Sequence, residues 1–533
     1  MNRNEYLKQL EGRLLRGAIG RRQFMRGALA TGIGLTVASG LAGRAAAATP
    51  QKGGMLTAGL GHGATTDTLD PGRFEAGFLI PLAYGMHGYL TEIDADSAVR
   101  PSLSESWEAS NGASVWTFTL REGLEFHDGN SVTANDVIAS INYHRGDNSD
   151  SAGAPLVADV TDIRADGPRT VVFTLASGNA DFPAVLSDYH FPIMPAVDGS
   201  IDWRAGIGTG PYRLDSFKPG VSAELSRFEN HWNDAVAHVD QWRLLALLDT
   251  NARMTAAVSG DVDLIDKVDL KTANLMARKP GVTLHSVAGT QHYTFPMLTN
   301  VAPFDDNNLR QALKWAMNRE EMVEKVLFGY GAVGNDHPIG PNQRYYNDQM
   351  EQKTFDPDKA KFYLEKAGIS GLKIPLTTAD AAFPGAVDAC LLIQNSAKQC
   401  GITVDVERAP NDGYWSDVWR SRPWCASYMA GRPVVDMMFS LAYKSGVAWN
   451  ESYWSHDAFD QLLLAARAEL DEAKRQEMYF EMQDIAANQG GVAIPMFASY
   501  VFVTADSVGT PEAFSSNLDL DGARFMERWW KAS

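Results

Sequence analysis

Between Asn411 and Trp454 the chain carries Tyr414, Trp415, Trp419, Trp424, Tyr428, Tyr443, Trp449, Tyr453 and Trp454, interleaved with Arg420, Arg422, Arg432, Asp436 and Asn450. Rings that bury apolar surface and stack on cations, with a few fixed charges to orient a ligand, are what a small-molecule cleft requires. Filling a core is the commoner fate of any single ring. Three other stretches hold residue types that do chemistry elsewhere. His127-Asp128-Gly129 sets a histidine beside an aspartate, yet no nucleophile lies near it in sequence, and Asp128-Gly129 reads as a turn. Gly329-Tyr-Gly331-Ala-Val-Gly334 spells a dinucleotide fingerprint but trails a helical segment instead of joining a strand to one, so its glycines lack a phosphate to approach. Gly206-Ile-Gly208-Thr-Gly210-Pro211 is a flexible crossing ahead of a strand at 212–217. There is no nucleophile elbow, HExxH or paired CxxC, and the eleven histidines are scattered without ligand spacing. The pattern supports no enzyme, no resident cofactor and no metal site.

The elements that position these residues are read from their periods. Val115 to Leu120 alternates, with Trp116, Phe118 and Leu120 on one face, as a half-buried strand does. Thr133-Ala134-Asn135-Asp136 is a capping box opening a helix with Val137, Ile138 and Ile141, so Asp136 is engaged in starting that helix. A second strand follows at 169–175, and the Pro- and Gly-dense stretch 182–211 marks a domain crossing. Over 308–329, Leu309, Ala312, Leu313, Ala316 and Met317, then Met322, Val323, Val326 and Leu327, form one apolar stripe broken near Asn318 and closed by Gly329. A further helix pair covers about 458–488, and alternating segments at 293–298 and 492–503 predict strands. The order of elements is α/β with several sheets and no internal repeat.

At 533 residues and 58.2 kDa the chain predicts two to four structural units. Arg21-Arg22, a weakly apolar run from Gly27 to Gly43 and Ala45-Ala46-Ala47-Ala48 read as a twin-arginine export signal over 1–48, cleaved near Ala47 or Ala48 and leaving the protein in the periplasm. The run is too short and glycine-rich for a membrane anchor. Removing those residues, with their eight Arg/Lys and two acids, takes the formal charge from −18 to −24, which argues against nucleic acid and anionic membrane as partners. Of the three cysteines, Cys390 and Cys400 lie ten residues apart on a predicted helix, roughly 15 Å along its axis and beyond bridging distance. A pair involving Cys425 stays open.

Several stretches together resemble a known family: Leu69-Asp70-Pro71, Pro101-Ser-Leu-Ser-Glu-Ser-Trp107, the run FTLREGLEFHDGNSVTANDVIAS, Gly208-Thr-Gly-Pro-Tyr212, LRQALKWAMNREEMVEKVLFGYG and FDPDKAKFYLEKAG. They are similar to the extracytoplasmic substrate-binding proteins of ABC importers that include dipeptide-, oligopeptide- and nickel-binding proteins, solute-binding protein family 5. The resemblance covers nearly the whole mature chain. It implies a periplasmic binding protein type II-like fold, with two lobes joined by a hinge and an extra inserted α/β domain. By analogy the first lobe takes 49–85, 205–290 and 490–533, the inserted domain 86–204, and the second lobe 291–489, with the hinge near 291–298 and 491–497. It further implies a monomeric, non-catalytic receptor that closes on a small polar solute and is read by ABC permease subunits.

The departures from the dipeptide pattern bear on the solute. The aspartate that holds a dipeptide ammonium falls at Arg432 in Ala430-Gly431-Arg432-Pro433-Val434-Val435-Asp436, and the arginine that grips the C-terminus has no counterpart in Phe383-Pro384-Gly385-Ala386. Arg432 would therefore meet an anionic or carbonyl group, with Asp436 orienting it or holding an amine. Trp449 and Asn450 would serve as wall and hydrogen-bonding groups, and Tyr293 and Phe74 would face the cleft from either side. Peptide-like solutes, opine-like conjugates and modified amino acids all remain open. Two alternatives stand beside this reading: a metal-chelate or haem binder on the same fold, and an exported cofactor-containing enzyme.

Overall fold

A computed structural model of the protein describes residues 50–74, 77–146 and 149–532. The expected twin-arginine signal and its expected cleavage site lie outside the described residues. Among those described, no helix is long and apolar enough to cross a membrane.

The main elements follow in chain order. Strand β1 (Met55–Leu60) is followed by an excursion holding β2 (Ser104–Ser110), β3 (Val115–Leu120), α1 (Ala134–Asn142), β4 (Val160–Ala165) and β5 (Thr170–Leu175). The chain returns through β6 (Tyr212–Lys218), β7 (Ser222–Arg227), β8 (Gln241–Ala246), α2 (Thr250–Ser259), β9 (Leu264–Ile265) and α3 (Leu270–Met276) to the long β10 (Val282–Pro296). Beyond it come α4 (Asn307–Trp315), α5 (Arg319–Val326), β11 (Gly331–Val333), β12 (Lys373–Thr378), α6 (Ala386–Gln399) and β13 (Thr403–Arg408). Then follow α7 (Tyr414–Asp417), β14 (Ser427–Met429), α8 (Val435–Ala442), α9 (Asp457–Ala468), α10 (Glu472–Gln489) and the returning β15 (Val492–Ala505).

One nine-stranded sheet, in the order β6-β7-β8-β1-β9-β15-β10-β14 with β11 beside β15, runs through the molecule. Its longest pairing is the antiparallel one of β10 and β15. Val282 to Ala288 pairs with Tyr500 to Ala505 and Ser499 in the first lobe, and His292 to Pro296 pairs with Val492 to Phe497 in the second. The ladder breaks between Ala288 and His292. A side chain on Gly289 would come within 2.3 Å of the Ala498 carbonyl, so the two backbones touch where the ladder bends. Two strands crossing between lobes with a break in their pairing are where a hinge between the lobes would act.

Each body has its own apolar core. Leu56, Trp242, Phe502 and Trp529 belong to the first lobe's core, and Leu313, Leu376, Ile393 and Trp424 to one of the cores of the second. The inserted sheet, β2-β3-β5-β4, buries Trp116, Phe118, Phe173 and Phe182 against α1. The expected capping box is present at α1: the Thr133 N–H donates to Asp136 Oδ2 at 2.7 Å, and Asp136 Oδ1 accepts from Ala196 N–H. The stripe at 308–329 divides into α4 and α5, and Asn318 caps the second by accepting from Glu321 N–H. All three cysteines are buried free thiols, and burial raises each pKa.

His127 is a bracket. Its backbone N–H donates to Gly208 O at 2.9 Å, Nδ1 accepts from Gly208 N–H at 3.2 Å, and Nε2 donates to Gly210 O at 3.0 Å. That arrangement requires the neutral Nε2–H tautomer, and burial agrees, lowering the imidazole to about 4. The glycines it holds lie against residues 85–87, where a side chain at Gly208 would meet the Met86 carbonyl at 2.0 Å. The histidine thereby fixes the crossing between the inserted domain and the first lobe.

Candidate functional site

Parallel strands place their C-terminal loops on one edge, and in open α/β sheets ligands bind in the crevice outside those ends. Here β1 runs parallel to β8 and β9 in the first lobe, and β12 parallel to β13 in the second. Gly61 follows β1, Leu248 follows β8, Lys267 follows β9, and residues 380–385 follow β12; all line one cleft of about 1030 Å³. Residues of the β10/β15 crossing, Gln291, Tyr293, Ala498, Ser499 and Tyr500, also line it.

Much of that wall is aromatic. Tyr293 stacks on Phe383 with centroids 4.0 Å apart and planes at 7°, so hinge and second lobe share one flat surface. Burial raises the Tyr293 and Tyr500 phenols to about 12, and both enter the cleft as neutral groups.

Several charges in the cleft wall are already engaged. The Arg253 guanidinium donates to the carbonyls of Leu247, Asp266 and Lys267, and lies 3.4 Å from Asp266. Asp380 pairs with Arg408, Lys325 pairs with Glu324 at 3.0 Å, and Asp269 caps α3. Asp519 differs. Its carboxylate accepts a hydrogen bond from Leu520 N–H at 2.8 Å and has no ion-pair partner among the described residues. Burial and the neighbouring Asp266 raise its carboxyl to about 7. The backbone after it is left-handed at Leu520 (φ 51°) and Asp521 (φ 62°), held by Asp521 bonds to Ser515 N–H and Trp529 Nε1. Non-glycine residues in this region are strained, and such strain gathers at functional sites. Lys267, also left-handed at φ 47°, sets its ammonium against His62 Nε2. Burial and that ammonium lower His62 to about 4, so the ring accepts as a neutral base.

The structure separates the residues expected at the site. Tyr293 lines the cleft. Phe74 does not: it is 2% exposed within the first lobe's core, because the short helix at Pro71–Arg73 turns its ring inward. Asn450 is not free to bind; Nδ2 donates to the Lys444 and Trp454 carbonyls, and Oδ1 accepts from Ser452 and Trp454 N–H. Asp436 does not orient Arg432. It is buried at the start of α8, 3.3 Å from Arg467, and burial raises it to about 6. Arg432 is half-buried, donates only to the carbonyls of Ala430 and Gly431, and has no carboxylate partner among the described residues. Trp449 is 49% exposed and meets Trp419 edge-on. Asp519, Lys267 and Phe383 were not among the expected residues. They come to the cleft from three distant segments, and no local spacing marks them. Among the described residues no group of three or more His, Cys, Asp or Glu side chains is placed to hold a metal ion.

The fold and cleft define a two-lobed solute receptor of the type II-like class. The model of Bacterial extracellular solute-binding proteins, family 5 Middle, matches residues 98–460, and the chain belongs to that family. The dipeptide-binding protein of Escherichia coli (strain K12) is 25% identical over 434 residues, covering 74% of this chain and 80% of its own. The glutathione-binding protein GsiB of Salmonella typhi is 23% identical over 443 residues, covering 79% and 85%. Among solved structures, the PBP AgaA in complex with agropinic acid, from A.tumefacien R10, superposes with a TM-score of 0.72 at 23% identity, over 90% of this chain and 99% of that one.

Proposed function

We propose that this protein is the periplasmic substrate-binding component of an ABC importer, which captures a small polar organic solute by closing its lobes and delivers it to the permease without changing a covalent bond. Peptide-like, opine-like and modified amino-acid solutes fit the reading, in keeping with the dipeptide, glutathione and agropinic acid named for the relatives. One observation carries it: the cleft lies across the β10/β15 hinge, and each lobe contributes strand-end loops to its wall. A ligand touching both walls makes its full set of contacts only when they approach, which is the differential affinity that drives closure.

Opposite charges that have no ion-pair partner among the described residues support a zwitterionic solute. Asp519 supplies a carboxylate for an amine and Lys267 an ammonium for an anion, both in the cleft wall, with Arg432, outside that wall and just beyond β14, as a second cation for a closed or extended ligand. Native mass spectrometry of protein purified without refolding identifies the bound solute, and calorimetry with it tests the charges. Arg432→Ala is expected to weaken binding by about 1.5–3 kcal/mol, the range for a hydrogen bond to a charged group. Unchanged affinity removes Arg432 from the site. Scattering curves that are the same with and without saturating solute reject closure itself.

A further inference from the structure

We infer, building on the solute-capture reading, that the bound solute carries a ring whose flat face packs on an aromatic rail leading out of the cleft along the second lobe. The rail begins at Tyr428, which lines the cleft and is 40% exposed. Trp415 follows with its centroid 5.7 Å away, Trp419 at a further 6.4 Å and Trp449 at a further 6.1 Å. Successive planes cross at 72°, 72° and 69°, so the rings meet edge to face instead of covering one another. Trp415 is 42% exposed and Trp449 49%. A contiguous run of large, half-exposed rings is uncommon on a monomer and marks a surface that binds something.

Its position selects the occupant. Trp415 follows β13, whose C-terminal end lies on the same edge as the cleft loop after β12, and the two loops are tied by Ala381 N–H donating to Asn411 Oδ1 at 3.0 Å. The rail is therefore continuous with the cleft wall. It is also rigid. Trp419 Nε1 donates to buried Glu451 at 2.7 Å, and the same carboxylate accepts from Ser427 on β14 and Thr294 on the hinge strand. Arg420 lies over Tyr453 at 4.5 Å and 5.8 Å from the Trp419 centroid, setting a charge beside the rings. Indole faces edged by a guanidinium suit a ring with an apolar face and a polar rim, the shared chemistry of a sugar ring and a polar aryl group.

The test labels the exported chain with 5-fluorotryptophan and assigns the Trp415 and Trp449 fluorine resonances by Trp415→Phe and Trp449→Phe. Cellobiose, phenylalanyl-alanine and alanyl-alanine are the probes. At least one ring-bearing probe is expected to shift both resonances, and alanyl-alanine to leave them in place; which ring probe acts separates a sugar from an aryl source. Trp415→Ala combined with Trp449→Ala should weaken that probe roughly tenfold. Both residues are half-exposed and Trp419 is left alone, so Glu451 keeps its donor. Silence toward both ring probes, an equal response to alanyl-alanine, or shifts that follow protein concentration alone, as a second copy would cause, overturn the inference. Scattering on the same samples follows closure separately. Closure with unmoved tryptophans overturns the rail and leaves solute capture standing, whereas a tryptophan response without closure supports the rail and overturns capture by closure.

Discussion

Asp519 makes a prediction whose sign is set by its surroundings. Its carboxyl is raised to about 7, so at pH 8 it is mostly ionised and able to hold an amine, and at pH 5.5 it is mostly protonated. A proton and a cationic solute compete for one site, so affinity should be full above pH 7 and fall as pH drops through it. The expected loss between pH 8 and 5.5 is on the order of tenfold or more, one pKa unit being worth about 1.4 kcal/mol. Calorimetry at the two pH values measures it. Asp519→Asn should bind weakly at both, with most of the pH dependence gone; a variant that keeps the wild-type profile assigns the titration to another group. Such a residue was not legible in the sequence. Its distinction is that Arg253, Asp380 and Lys325 around it have charged partners while the Asp519 carboxylate has no ion-pair partner among the described residues, and that follows from the packing of distant segments, not from any spacing along one.

At the scale of elements much more could be read. The capping box at Thr133, the break at Asn318 and the alternation of Val115–Leu120 are local, and the energies that enforce them act over three or four residues, so sequence alone exposes them. The expectations for Phe74 and Asn450 failed for the converse reason. Whether a ring points into a cleft or a core, and whether an amide is already bonded, depends on neighbours that the chain brings from elsewhere. His127 lies between these cases. Its turn was readable, but its grip on Gly208 and Gly210, some eighty residues away, was not. His127→Ala leaves the Gly208 N–H and the Gly210 carbonyl without their ring partner in a partly buried crossing, and should destabilise the protein by about 1–3 kcal/mol. Chemical denaturation measures the loss, and hydrogen exchange should rise first at 206–211. Solute affinity measured on the folded fraction is expected to stay within twofold of wild type, since no atom of His127 reaches the cleft.

On the scale of the whole molecule, the inserted domain touches both lobes. It is fastened to the first lobe by Arg524 beside Glu92, by Arg528 donating to the Ile93 carbonyl and by Tyr84 donating to the Ser187 carbonyl. It also meets the second lobe. Asp181 pairs with Arg475, Arg467 bridges Asp159 and Asp436, Ala180 N–H donates to the Arg467 carbonyl, and Met437 of α8 enters the inserted domain's core. A hinge that swings the second lobe away from the first must loosen this contact, so its strength contributes to the balance between lobe positions. Asp436 lends it a pH dependence. It faces Arg467 on α9 at 3.3 Å and Ser440 on its own helix, and Asp181, Arg475 and Tyr479 bear on it from the inserted domain and α10. Burial raises its carboxyl to about 6, above the ordinary aspartate value of 3.8. The packed arrangement therefore binds a proton more tightly than a solvated Asp436 does, and the contact gains strength as pH falls from 6 toward 4 and loses it above 6. Replacing both members of the other pair, Asp181→Asn with Arg475→Met, removes a charge contact without leaving either ion alone in the interface. The double variant should populate the separated lobes more than the wild type, which scattering reads as a larger radius of gyration in the absence of solute. Its apparent affinity should fall by the fraction of molecules withdrawn from the binding-competent form. An unchanged radius together with unchanged affinity would show that the inserted domain follows the second lobe passively and takes no part in holding the cleft.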